Sequence, residues 1–231
     1  VRQFDSRDGP RLSSRCGRKV DAAVKIVVFG ATGGTGQQLV AQGLAAGHEV
    51  TAFTRSPDAM TMRLGLTVMA GSTGDPQAVD RAVAGRDAVL CALGGTPVRR
   101  SERVCSTAMA RIVPAMTRQG VRRVLAISTF GAGDSRQQVG WFERHLLFGF
   151  VLRSEVADKE AMEAQLFASQ LEWTVLRVGL LTDEPPNGSW RVADDGSIRG
   201  MSKIPRADVA AFMLAQIHST AWLRRWPVIV G

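Results

Sequence analysis

At 231 residues the chain has the length of one α/β domain with a full hydrophobic core. Its 45% hydrophobic and 22% charged residues are ordinary for a soluble globular protein, and no apolar run approaches the roughly 18 residues of a membrane span. The net charge of +8 does not mark a nucleic-acid binder, because the basic residues are dispersed rather than gathered on one element among aromatics. Arginine outnumbers lysine 25 to 4, a ratio that fits genomic composition better than selection for phosphate contacts. Cys16, Cys91 and Cys105 show no CxxC pair or metal spacing, and His48, His145 and His218 are equally scattered. No metal site can be argued; the thiols are expected to be reduced. No signal-peptide core is visible at the N-terminus, so a cytoplasmic protein is the expectation.

Residues 1–23 are polar and aperiodic, with Arg2, Arg7, Arg11, Arg15, Arg18 and Lys19 set against Asp5, Asp8 and Asp21. They are expected to be a disordered basic tail, or extra residues from a start codon placed upstream, leaving 24–231 as one domain. From Val24 the pattern changes. Lys25–Gly30 is a β-branched run suited to a strand buried on both faces of a parallel sheet. Gln37–Ala46 has helical spacing and stops at Gly47, a plausible C′ residue. Glu49–Thr54 is the next strand, followed by a short helical stretch after Pro57 and by Leu66–Ala70. Pro76–Ala84 predicts a helix, Ala88–Ala92 a strand, Glu102–Gln119 a helix that Pro114 should kink or rob of a hydrogen bond, and Arg123–Ile127 a strand. Glu155–Ser169 predicts a helix leading into the strand Trp173–Val178. A hairpin over Trp190–Arg199, turning at Asp195-Gly196, and a helix over Ala207–His218 complete the chain. This alternation implies an α/β fold with a single doubly wound parallel sheet, a Rossmann fold, and a short C-terminal extension.

Gly30-Ala31-Thr32-Gly33-Gly34-Thr35-Gly36 falls directly between a strand and a helix, the context that gives a glycine pattern its meaning. Gly30 permits the sharp turn, Gly33 lets the backbone approach a pyrophosphate, and Gly36 lets helix and sheet pack closely. Helix N-terminal amides then meet the phosphate charge. The second strand ends Thr54-Arg55-Ser56, with no carboxylate before Asp58, where an acidic residue would bind the ribose hydroxyls of NAD. Arg55 suits the 2′-phosphate of NADP(H), which is expected in preference to NAD(H); a solvated loop arginine is the alternative.

With these motifs stand Val83-Ala-Gly-Arg-Asp-Ala-Val89, Leu93-Gly94-Gly95-Thr96, Ser128-Thr129, Lys159, Leu176-Arg-Val-Gly-Leu-Leu-Thr-Asp183 and Ile204-Pro-Arg-Ala-Asp-Val-Ala210. From about Lys25 to Leu214 the chain resembles the atypical short-chain dehydrogenase/reductase proteins similar to biliverdin/flavin reductase, which have NmrA-like neighbours. The resemblance implies that Leu93 and Gly94 pass beside the cofactor's inner ribose and that Val178, Gly179 and Leu180 line the nicotinamide. Where the family commonly has an aspartate near adenine, Gly71-Ser72 stands here, implying a weaker contact from Ser72.

Catalysis is where the chain departs from the pattern. Related enzymes use a tyrosine four residues before a lysine; this chain has no tyrosine, and Glu155 stands four residues before Lys159. Lys159 is left to hydrogen-bond ribose hydroxyls, or to be an exposed helix lysine. Glu155 fits a helix N-terminal carboxylate. Thr129, and beside it Ser128, are the candidate catalytic hydroxyls at a strand's carboxyl end, with turn capping as the alternative. Leu180 replaces a histidine proposed to matter in biliverdin-reducing members, which argues against biliverdin. The apolar stretch between Gly140 and Leu152 could form a lid or wall for a planar hydrophobic substrate, pack in the core, or form a dimer contact. The expectation is an NADPH-dependent oxidoreductase passing hydride to a flavin-like, quinone-like or other conjugated small molecule. It would be a monomer or homodimer with no nucleic-acid or membrane partner. Alternatives are a non-catalytic NADPH sensor or scaffold, and an isomerase or epimerase of the same fold.

Overall fold

The structure, a computed structural model, describes residues 22–94, 103–138, 153–200 and 202–231. The expected tail therefore lies outside the described residues except for its last two positions, as does the apolar 140–152 segment.

Strand β1 (Lys25–Phe29) leads through the glycine turn into α1 (Gly34–Ala45), then β2 (Glu49–Thr54), β3 (Leu66–Ala70), α2 (Pro76–Val83) and β4 (Ala88–Cys91). There follow α3 (Val104–Gln119), β5 (Arg123–Thr129), α4 (Arg153–Phe167) and β6 (Glu172–Val178). The short strands β7 (Leu180–Thr182), β8 (Arg191–Ala193) and β9 (Lys203–Pro205) precede α5 (Arg206–Ala215) and β10 (Val228–Val230). The main sheet has the order β3-β2-β1-β4-β5-β6-β10-β8 and is parallel except for β8, which runs antiparallel on β10 at the edge. Such an order reverses direction between β1 and β4, the switch point outside which ligands of open α/β sheets bind.

Alternation along β1 divides the core. Ile26 and Val28 pack with Leu39 and Val40 of α1 and Val209, Phe212 and Met213 of α5. Val27 and Phe29 face the opposite layer, with Val79 and Val83 of α2, Met109 and Ile112 of α3 and Met162 and Leu166 of α4. Burial on both faces explains why these strands consist of continuous apolar runs. α1 ends as its sequence requires: Gly47 has φ +86°, its N–H donates to the Leu44 carbonyl, and that of His48 donates to the Gly43 carbonyl, each at 3.0 Å. This double bond pattern is a Schellman motif.

Two expectations are modified. α3 runs on through Pro114 to a left-handed Gly120, so the proline's missing N–H removes one rung without breaking the helix. The expected 190–199 hairpin does not form. Asp195-Gly196 does turn, with Gly196 at φ +79° and Asp195 Oδ1 accepting from the Ser197 N–H at 2.9 Å. However, β8 pairs with β10, Arg191 lying opposite Val230 and Ala193 opposite Val228. The apolar partner for this edge strand lies beyond α5, and residues 197–199 after the turn form no strand.

Candidate functional site

The glycine turn is shaped by close approaches at its ends. A Cβ on Gly30, which has φ +84°, would lie 2.7 Å from the Ala92 carbonyl oxygen; one on Gly36 would lie 2.0 Å from the Gly30 oxygen. Gly30 therefore brings the end of β1 against the end of β4, and Gly36 draws α1 onto the turn. Gly33 is the extended residue preceding α1, whose first turn carries neither a side-chain cap nor an acidic residue. The first amides of any helix lack intrahelical partners. Here that terminus has no side-chain cap and no acidic residue, the electrostatic arrangement that favours an anion.

Two cavities flank this turn at the carboxyl ends of the strands, both bordered by Leu93. The first, about 400 Å³, is lined by Gly30, Thr32, Thr54, Arg55, Ser72 and Arg103 among others, and among the described residues no carboxylate lines it. Ser72 Oγ accepts from the Gly74 N–H at 3.2 Å, fixing the turn after β3. Gly71 is required there because a Cβ would meet the Phe53 ring at 2.6 Å. Arg103, at the head of α3, went unremarked in the sequence because nothing local ties it to Arg55.

The second cavity, about 290 Å³, brings together Thr35, Gly94, Ser128, Thr129, Glu155, Lys159 and the run Val178–Leu181, with Arg206 at its edge. Ser128 is buried, and its Oγ has no hydrogen-bond partner among the described residues. Thr129 is half-buried, and its Oγ1 makes a 3.4 Å contact to the Phe130 carbonyl. Glu155 is half-buried in the first turn of α4. Gly179 passes so near β9 that a Cβ would lie 2.2 Å from the Ser202 oxygen, which accepts the Leu180 N–H at 3.0 Å.

Lys159 is not the exposed helix lysine that was one alternative. It is 4% exposed, and its Nζ donates to the carbonyls of Leu93 and Ile127, each at 2.7 Å. The ammonium thus bridges the ends of β4 and β5 beneath the cavity. Beside it, Asp158 accepts from the backbone N–H groups of Cys105 and Ser106 at 2.8 and 2.9 Å. It caps α3 from a neighbouring helix, because Arg103 supplies no side-chain cap of its own. Cys91 and Cys105 are free and buried. Burial pushes the Cys105 thiol up to about 11 despite the nearby Lys159 charge, so it stays protonated and unreactive.

A third charged group, missed in the sequence, braces the wall of this site. Arg177 of β6 is 2% exposed and meets Glu163 of α4 in a two-point pair, Nε to Oε1 at 3.1 Å and Nη2 to Oε2 at 2.7 Å. It also donates to Asp134, which accepts from Trp226 Nε1 at 3.2 Å. Burial opposes the Arg177 charge, but Glu163 and Asp134 outweigh it and hold the guanidinium above its ordinary value. An arginine inside a largely apolar strand was the available signal, since a buried cation requires a buried partner.

A Rossmann sheet carrying a glycine-lined anion cradle at its switch point defines a dinucleotide-binding domain. The chain belongs to the NAD(P)H-binding family, whose model matches residues 30–220. It is 26% identical over 202 residues to the (4-alkanoyl-5-oxo-2,5-dihydrofuran-3-yl)methyl phosphate reductase of Streptomyces griseus, covering 84% of this chain and 64% of that protein. The chain therefore spans just under two thirds of that relative's length. It is 27% identical over 201 residues to the uncharacterized sugar epimerase YhfK of Bacillus subtilis, covering 84% and 88% of the two chains. A short-chain dehydrogenase/reductase of Veillonella parvula, solved in complex with NADP, superposes with a TM-score of 0.78 at 21% identity, over 90% of this chain and 94% of that one. Among the described residues no helix is long and apolar enough to cross a membrane.

Proposed function

We propose that the chain is an NADPH-dependent reductase acting on a conjugated small molecule without a phenolic general acid. The observation that carries this reading is one groove with unlike ends. Its outer cavity holds Arg55 and Arg103 with no carboxylate among the described residues, and its inner cavity offers the hydroxyls of Ser128 and Thr129. Arg55 suits a 2′-phosphate, and the uncapped start of α1 suits a diphosphate. Bound NADPH supplies the hydride. In this reading Thr129 Oγ1 donates to the acceptor's carbonyl as negative charge builds there, and the orphaned Ser128 hydroxyl gains a partner. Lys159 positions Leu93 and Ile127 rather than activating an acid.

With no tyrosine in the chain, the proton that follows the hydride comes, in this reading, from water or through Thr129. Conjugated acceptors tolerate this because the reduced form delocalises its charge, whereas an isolated carbonyl loses the roughly 10²–10⁴-fold that a positioned general acid provides. The substrate in the Streptomyces griseus relative's name, an oxo-dihydrofuran bearing an alkanoyl group, agrees with a conjugated acceptor. The missing tyrosine equally favours a second reading, an NADPH sensor without turnover. NADPH oxidation across flavins, quinones, conjugated enones and simple ketones separates them. Turnover with the conjugated acceptors and little with simple ketones supports the reductase. Brisk ketone reduction overturns the mechanism, and tight binding without any turnover selects the sensor.

A further inference from the structure

Gly34 poses a question that the dinucleotide reading leaves open. It is the first residue of α1, its backbone is helical, and any side chain could occupy such a position. The neighbour a side chain would meet is Arg206: a Cβ on Gly34 would lie 2.7 Å from Arg206 Cδ and 2.9 Å from its Nε, so it would have to push the arginine stem aside. The arginine stem therefore lies flat across the start of α1. Arg206 is the first residue of α5, which packs against α1 on the same face of the sheet. Arg206 lines the inner cavity together with Thr35 and Leu181, and a neighbouring cavity together with Gln42 and Asp183. Nη1 is held by Asp183 Oδ1 at 2.8 Å, and Asp183 is itself 86% exposed. A guanidinium has five N–H donors in a rigid fork, so this one ion pair orients the group without exhausting it.

We infer that Arg206 is a pyrophosphate-binding residue, a cation laid over Gly34 so that its free N–H groups and the first amides of α1 grip the same diphosphate. This rests on the reading of the groove as a nicotinamide dinucleotide site, and it assigns the phosphate-gripping side chain that the glycine motif lacks. Charge chemistry favours it. The turn contributes only neutral groups, α1 has no acidic residue in its first turn, and Arg206 is the cation placed against it. Bidentate recognition of phosphate oxygens is what arginine does best. Because the diphosphate is common to both cofactors, Arg206 contributes equally to NADPH and NADH, unlike Arg55.

The test is a double-mutant cycle read by calorimetric titration of NADPH and NADH against the wild-type chain, Arg206→Ala, Gly34→Ala and the double variant, with apo melting temperatures in parallel. Arg206→Ala is expected to raise the Kd of both nucleotides by the same factor, about 10- to 100-fold, as for loss of a charge-assisted contact. Gly34→Ala pushes the stem aside and raises Kd in the wild-type background. In the Arg206→Ala background it adds less than about threefold, because coupled sites are not additive. Should the alanine variant fail to fold, Arg206→Gln keeps a polar side chain over Gly34 without the charge and is expected to show the same loss. Additive losses would mean that Gly34 acts through its own backbone and would overturn the inference. A loss confined to NADPH would overturn it too, by moving Arg206 to the 2′-phosphate. So would unchanged binding with a raised KM for an anionic acceptor. A wild-type chain that binds neither nucleotide would overturn the cofactor reading as well.

Discussion

Replacing Lys159 with methionine tests whether this lysine supports the site or touches the ligand. Its Nζ makes two hydrogen bonds of 2.7 Å to Leu93 and Ile127 from a side chain that is 4% exposed. Hydrogen bonds to charged groups contribute about 1.5–3 kcal/mol each, so the gross loss is about 3–6 kcal/mol. Relief from burying an ammonium offsets part of this, leaving a net destabilisation of about 2–4 kcal/mol. For a domain of this size each 1 kcal/mol lowers Tm by about 2–4 °C, so the apo protein should melt roughly 4–16 °C earlier. Methionine fills comparable volume, so a cavity adds little. Differential scanning calorimetry of apo Lys159→Met is the assay, with nucleotide titration beside it. An unchanged apo Tm combined with a large loss of nucleotide affinity would refute the reasoning, because it would make Lys159 a ligand contact and not a bridge between β4 and β5.

Gly36→Ala should destabilise the apo protein by about 1–3 kcal/mol, since its methyl would sit 2.0 Å from the Gly30 oxygen, and chemical denaturation measures it. Thr129→Val should slow turnover with a conjugated acceptor about 5- to 10-fold at unchanged nucleotide Kd, corresponding to one neutral hydrogen bond of about 1–1.5 kcal/mol. A raised Kd with normal turnover would relocate Thr129's role to cofactor binding. Burial tends to raise the Asp134 carboxyl, but Arg177 and Trp226 outweigh it and hold it below its ordinary 3.8. Its contribution is therefore full above that value and is lost as pH falls through the lower folded pKa. Asp134→Asn should be less stable than wild type at pH 7, by under about 1 kcal/mol because Asp134 is 62% exposed, and the gap should close in strong acid.

The first half of the fold was legible because each layer carries its own constraint. The β-branched Lys25–Phe29 run can be satisfied only by burial on both faces, and Gly47 marks the helix stop through its backbone. Gly30 and Gly36 were legible for the same reason. What escaped is set by contacts distant in sequence. Nothing around Lys159 announces that the Leu93 and Ile127 carbonyls converge on it. β8 and β10 are three residues each, too short for periodicity, and the true turn at Asp195-Gly196 suggested a local partner where the real one lies 35 residues on. Gly34 was legible as a glycine, but its neighbour Arg206 lies on another helix. Arg177 could have been recognised as one end of a buried pair, though not that Glu163 is the other.

The most direct test of the central claim is a side-by-side calorimetric titration of NADPH and NADH with the wild-type chain and Arg55→Ala. The account predicts that wild type prefers NADPH by about 10- to 150-fold, the worth of a charge-assisted contact of about 1.5–3 kcal/mol, and that Arg55→Ala removes most of that preference while leaving NADH affinity nearly unchanged. Equal wild-type affinities, or equal losses of both nucleotides on Arg55→Ala, would contradict it.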